Sequence, residues 1–168
     1  MKLKNKYKLE DVENICFYEK AFFSNTCLGV VERSAVGGKV RFYQNDKTYN
    51  TSQGKDIALA NYIPHIEELM KGIYVKFDEK LEISTYEENI SDKEYKTFIN
   101  LIFNYDTDFI DKFHYDYGGV SGTDWMFRIN FRNGEKIETT GFHEEPEELM
   151  NIRKLFNIYG CNFEIPEE

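Results

Sequence analysis

The chain predicts an α+β domain, a mainly antiparallel sheet with two or three helices packed on one face. Three observations lead there. Residues 125–159 read as strand, tight turn, strand, loop and helix. Apolar spacing alternates along the chain between period two and helical period, in the order strands, helix, strands, helix, strand-strand-helix. No repeat, low-complexity segment or linker long enough to split domains interrupts that order.

The elements follow in sequence. Residues 1–10 read as a polar, basic arm bearing Lys2, Lys4, Lys6 and Lys8, and residues 11–168 as the single domain. Residues 14–23 read as a strand with Ile15 and Phe17 on one side. Residues 26–33 and 39–43 form a hairpin across Ser34-Ala35-Val36-Gly37-Gly38. Residues 45–55 are polar and turn-rich. Residues 56–71 set Ile57, Leu59, Ile63, Ile66, Leu69 and Met70 in a helical pattern that Pro64 interrupts. Residues 72–77 and 81–86 read as strands around Asp78-Glu79-Lys80. Ser91-Asp92-Lys93-Glu94 is a capping box, in which Ser91 accepts from the Glu94 N–H and Glu94 reaches back. Tyr95, Phe98, Ile99, Ile102 and Phe103 then recur at helical spacing, giving a helix to about Tyr105.

The last third is the most specific. Trp125, Phe127, Ile129 and Phe131 alternate with polar or flexible neighbours and share one sheet face. Asn133-Gly134 marks the turn. A two-residue loop would turn Ile137 to the polar face. A three-residue loop, with Gly134 left-handed in a G1 bulge, sets Ile129 opposite Ile137 and Phe127 opposite Thr139, and keeps one apolar face intact. It also sets Gly141 opposite Trp125, where a missing side chain leaves room for the indole. Pro146 suits a first helical turn, and Glu144, Glu145, Glu147 and Glu148 suit the positive end of the dipole. Leu149, Ile152, Leu155 and Phe156 form the buried stripe, and Gly160 ends the helix.

The pattern Trp125-x-[apolar]-x-Ile129-x-Phe131-x-Asn133-Gly134, then Thr139-x-Gly141, then a Pro-led helix, resembles a family of small bacterial proteins of unassigned function. The resemblance spans roughly residues 13–159 and is motif-like over its last third; residues 56–71 depart from it. It implies an aromatic-rich strand meander, one middle helix and a C-terminal hairpin plus helix. It implies no activity and no site residues.

Composition narrows the function classes. The net charge is −9, and the first eight residues carry +4, so the remainder carries −13. An acidic body disfavours nucleic acid as a direct ligand and suits solubility, a basic protein partner or imitation of a phosphate surface. No apolar run is long enough for a transmembrane helix, and the N-terminus lacks the apolar core of a secretory signal. Cys16, Cys27 and Cys161 are odd in number and lack metal-like spacing, which predicts core thiols in a reduced cytoplasm. With 16 Lys against 5 Arg, the usage fits an AT-rich bacterial or phage genome.

The densest candidate site is the run 105–116. It holds Asp106, Asp108, Asp111, His114 and Asp116, interleaved with Phe109, Phe113 and Tyr115 and followed by Tyr117. Carboxylates with one imidazole can bind a divalent cation, but the spacing is not that of an EF-hand. A segment with one face packed and its acids in water fits better. Gly118–Thr123 leads into a strand rather than a helix N-terminus, which weakens a phosphate-loop reading. His143 beside Glu144 and Glu145 has no nucleophile nearby in sequence. Arg128 and Arg132 fall on the hairpin face opposite the core, where they can pair with acids on a neighbouring strand or contact an acidic ligand. Tyr18, Tyr43, Tyr49, Tyr62, Tyr74, Tyr86, Tyr115 and Tyr117 exceed what a core of this size needs, and tyrosine is favoured at interfaces.

The expectation is therefore a non-catalytic acidic protein-binding module without a cofactor or metal, such as an immunity-type antitoxin or a phage-encoded inhibitor of a host defence protein. Its partner is a basic protein, and its binding residues are Asp106, Asp108, Asp111, Tyr115, Asp116 and Tyr117. The alternative is a small metal-dependent hydrolase using Asp106, Asp108, Asp111 and His114.

Overall fold

The structure, a computed structural model, describes residues 2–21, 26–45, 83–105, 123–142 and 145–165. Two short 3₁₀ turns, Leu3–Asn5 and Leu9–Asp11, precede strands β1 (Val12–Ala21), β2 (Thr26–Ser34), β3 (Gly37–Asn45) and β4 (Ile83–Ser91). Helix α1 (Asp92–Asn104), strands β5 (Thr123–Phe131) and β6 (Lys136–Phe142) and helix α2 (Glu148–Ile158) follow. The strands form one antiparallel sheet in the order β4-β3-β2-β1-β5-β6. The first strand in sequence is thus interior, and β5 returns to pair with its second flank.

The final hairpin adopts the three-residue register. Ile129 faces Ile137, Phe127 faces Thr139 and Trp125 faces Gly141. The Gly134 N–H donates to the Phe131 carbonyl at 3.0 Å, the Phe131 N–H donates to the Glu135 carbonyl at 2.9 Å, and Gly134 has φ +90°. Asn133 reinforces the turn by accepting from the Glu135 N–H at 2.9 Å. The alternative register would turn the buried side chains of one strand outward.

Helix α1 starts where its capping box sits. The Glu94 N–H donates to Ser91 Oγ at 3.0 Å, and the Ser91 N–H donates to Glu94 Oε1 at 3.3 Å. Behind the cap, Tyr95, Phe98, Ile99, Ile102 and Phe103 are all buried. Strand β4 runs directly into this cap and ends later than the span 81–86 expected from sequence. Helix α2 buries Leu149, Ile152, Leu155 and Phe156, and both helices lie on one sheet face, where Phe98 meets Phe156 edge-on at 5.1 Å.

One row across this face shows how the core closes. Tyr86, Phe42, Gly29, Phe17, Phe127 and Thr139 follow one another across five strand pairings. Gly29 leaves a gap that the rings of Phe156 and Phe163 enter, within 2.9 Å of where a Cβ would stand. Phe163 in turn packs on Phe17 at 4.9 Å and on Phe42 at 5.2 Å. Trp125, Phe127, Ile129, Phe131, Leu149, Ile152 and Phe156 belong to this single core. Fully burying each side chain of this size contributes about 1.5–3 kcal/mol before entropy is charged against it.

Two features depart from expectation. Residues 2–11 are fastened to the domain: Leu3 is buried, Tyr7 stacks on Phe131 at 4.4 Å, and the Arg132 N–H donates to the Asp11 carbonyl at 2.8 Å. The second sheet face is also shielded. Cys16, Tyr18, Leu28, Val30, Tyr43, Met126 and Arg128 point there by alternation, and all are buried. Tyr18 and Tyr43 are therefore core residues rather than surplus surface aromatics. Arg128 is 1% exposed and pairs with Glu138 across the hairpin, so the neighbouring-strand acid is the right partner but the site is interior.

Candidate protein-binding surface

The expected binding residues Asp106, Asp108, Asp111, Tyr115, Asp116 and Tyr117 lie outside the described residues, as do His114, His65, residues 118–122, His143 and Glu144. The helical pattern at 56–71 and the strand at 72–77 lie outside them too. Among the described residues, no three His, Cys, Asp or Glu side chains group as metal ligands.

A different acidic, tyrosine-bearing surface is assembled at the β4 side of the sheet. Tyr86 and Glu88 stand two apart on β4 and so share a face. The Tyr86 hydroxyl donates to Glu88 Oε2. The Tyr86 ring lies over Gly160, where a Cβ would come within 2.5 Å of it. Gly160 has φ +104°, so its backbone conformation and the close approach both call for glycine. Next to it, the Tyr159 hydroxyl donates to the Glu94 carbonyl at 3.2 Å, and its ring meets Phe98 edge-on at 5.1 Å. Glu88, Tyr86, Tyr159 and Glu94 thus form one continuous strip from β4, across the end of α2, to the first turn of α1.

Both phenols stay neutral at physiological pH. The hydrogen bond to Glu88 raises the Tyr86 pKa, and partial burial adds to it. Burial raises that of Tyr159, with the Glu94 charge adding to it. The strip therefore offers two carboxylates and two neutral rings. Ile158 beside it is 78% exposed. At about 100° per residue it points away from Leu149 and Phe156, and that off-stripe position is the sequence signal that could have singled it out. β4 is an edge strand among the described residues, and Glu87 and Glu88 on it discourage pairing with another strand. The surface is therefore suited to side-chain contact rather than strand addition.

An ion-pair triad with a buried centre sits elsewhere. Arg153 of α2 reaches the sheet, with Nε 2.8 Å from Glu19 Oε2 and Nη2 2.8 Å from Glu145 Oε1. Its guanidinium lies over the Phe17 ring at 5.8 Å. Burial pushes the Glu19 carboxyl above the usual range, although Arg153 pulls it down. This triad joins α2 to β1 and presents no free reactive group. The three cysteines are buried, and burial pushes the thiols of Cys16, up to about 12, and of Cys161 upward, which keeps both protonated.

No helix among the described residues is long and apolar enough to cross a membrane. No family model, curated protein or solved structure matches the chain.

Proposed function

We propose that this chain is a non-catalytic protein-binding module of the cytoplasm that holds a basic partner protein, as an immunity-type antitoxin or a phage-encoded inhibitor of a host defence protein would. The observation that carries this reading is the continuous strip Glu88, Tyr86, Tyr159 and Glu94 flanked by exposed Ile158. Its carboxylates steer a basic partner from a distance, and that effect fades beyond a Debye length of about 8 Å at physiological salt. Its tyrosines are already held by Glu88, Glu94 and Phe98, so they lose little freedom on contact. The net charge of −9 extends the same bias over the molecule. The segment bearing Asp106, Asp108, Asp111, Tyr115, Asp116 and Tyr117 has the same chemistry and is a second place for such contact.

The test is co-purification from the native host, followed by binding kinetics with the recovered partner. Glu88→Gln and Glu94→Gln should slow association and flatten its salt dependence; glutamine in place of Glu94 still closes the capping box. Ile158→Asp should speed dissociation at least tenfold. Asp108→Asn with Asp111→Asn, and Tyr115→Ala, measure the second segment in the same way. A stoichiometric partner whose association ignores salt and all of these changes would refute the reading.

A further inference from the structure

We propose that the cavity between the second 3₁₀ turn, the end of β2 and α1 binds a small organic monoanion, a carboxylate with a short aliphatic tail. The cavity has a volume of about 140 Å³ and is lined by Leu9, Glu10, Arg33, Tyr95, Lys96 and Ile99. That volume equals roughly five waters at ~30 Å³ each, or one small acid. Leu9, Ile99 and the Tyr95 ring supply apolar walls, and Arg33 and Lys96 supply cations. This is an unusual combination on a body with a net charge of −9.

The state of Arg33 carries the inference. Its Nη2 donates to the carbonyls of Glu10 at 3.0 Å and Val12 at 3.1 Å, and its guanidinium carbon sits 5.4 Å from the centre of the Tyr95 ring. The Tyr95 hydroxyl donates to the same Val12 carbonyl at 3.1 Å, which fixes the ring. These contacts hold the guanidinium in place without neutralising it. Among the described residues, no carboxylate comes within ion-pair distance of Arg33; its Nε is buried out of a ligand's reach, and its Nη1 is the nitrogen left without a hydrogen bond. A rigid, uncompensated guanidinium beside apolar walls matches a carboxylate head with a hydrocarbon tail. Lys96 adds a second charge; its partner Asp92, at 2.7 Å, is exposed like Lys96 itself and holds it weakly. Glu10 also lines the cavity, so a second negative charge on the ligand is disfavoured and a monoanion fits best.

The probe is sodium butyrate, titrated into the full chain and followed by amide and arginine side-chain NMR. Sodium chloride at matched ionic strength and the neutral isostere butyramide serve as controls. The expected result is saturable shifts confined to Leu9, Arg33, Tyr95, Lys96 and Ile99, with butyramide at least tenfold weaker. Lys96→Gln should weaken butyrate severalfold. Leu9→Trp, which fills the cavity, should abolish the shifts while the melting temperature stays near that of the parent. Arg33→Lys keeps the charge but not the planar fork, and should weaken butyrate further than Lys96→Gln does. Non-saturating shifts, shifts reproduced by chloride, equal response to butyramide, or undiminished binding by folded Leu9→Trp would each overturn the proposal.

Discussion

Replacing Gly141 with alanine tests the tightest contact in the final hairpin. Gly141 faces Trp125 across β5 and β6, and a Cβ built on it would lie 2.4 Å from the indole atoms Cε2 and Cζ2. Trp125 is 1% exposed, so its ring is held inside the core rather than free to swing at the surface. Relief to ordinary contact requires a shift of about 1 Å, and overpacking of this kind costs about 1–3 kcal/mol. The lower backbone entropy of alanine in the unfolded chain returns about 0.4–1 kcal/mol, because the backbone here is not left-handed. The net expectation is a loss of about 1–2 kcal/mol, read as a lower urea midpoint at unchanged slope. Trp125 is the only tryptophan, so its fluorescence reports the site directly. In a Trp125→Phe background, followed by circular dichroism, the smaller ring removes the clash and Gly141→Ala should be nearly neutral. The two changes should therefore couple by at least about 1 kcal/mol. An unchanged midpoint in the Trp125 protein, or the same loss in both backgrounds, would refute the reasoning.

Phe127→Ala should lower stability by about 3–5 kcal/mol through lost burial and a residual cavity, measured by urea unfolding. Ser91→Ala should cost about 1 kcal/mol and fray the start of α1, seen as faster amide exchange at Asp92 to Glu94. Arg153→Ala should cost about 3–5 kcal/mol, because Glu19 is left buried without its cation. Glu19 has its folded pKa raised by burial, with Arg153 opposing and Glu145 and Glu164 adding. The folded state then holds the proton more tightly than the unfolded one, so this contribution is full below the unfolded pKa and is lost as pH rises through the folded value. Glu19→Gln should remove that slope, which sets in above the ordinary glutamate pKa of ~4.3; parallel pH profiles of parent and variant would contradict it.

What the sequence makes legible is local. The hairpin register follows from Asn133-Gly134 and the alternation around it, and the α1 start from Ser91 and Glu94, since each rests on neighbours a few residues apart. The strand order is not local: nothing in residues 12–21 states which later strand takes their second flank. Buried charge is equally hidden. Arg128 and Arg153 occupy positions that read as polar surface, and among the described residues Glu138, Glu19 and Glu145 approach to compensate their burial. The strip at β4 is not legible in the sequence because its members come from residues 86–94 and 158–160, which only the fold brings together. The run richest in acid and aromatic residues, 105–116, falls largely outside the described residues.

The place of β1 inside the sheet has a consequence for how the chain is made. β1 can pair with β2, and β2 with β3, as soon as these leave the ribosome, but the other partner of β1, β5, is encoded roughly a hundred residues later. At about 5–20 residues per second, the flank of β1 opposite β2 waits on the order of ten seconds for that partner. Over that interval its N–H and C=O groups form an open template, and Ile15 and Phe17 still lack their β5 neighbours. A nascent meander that stalls before residue 123 is therefore the species most exposed to misassociation, and slow synthesis through this stretch should depress soluble yield without altering the stability of the finished fold.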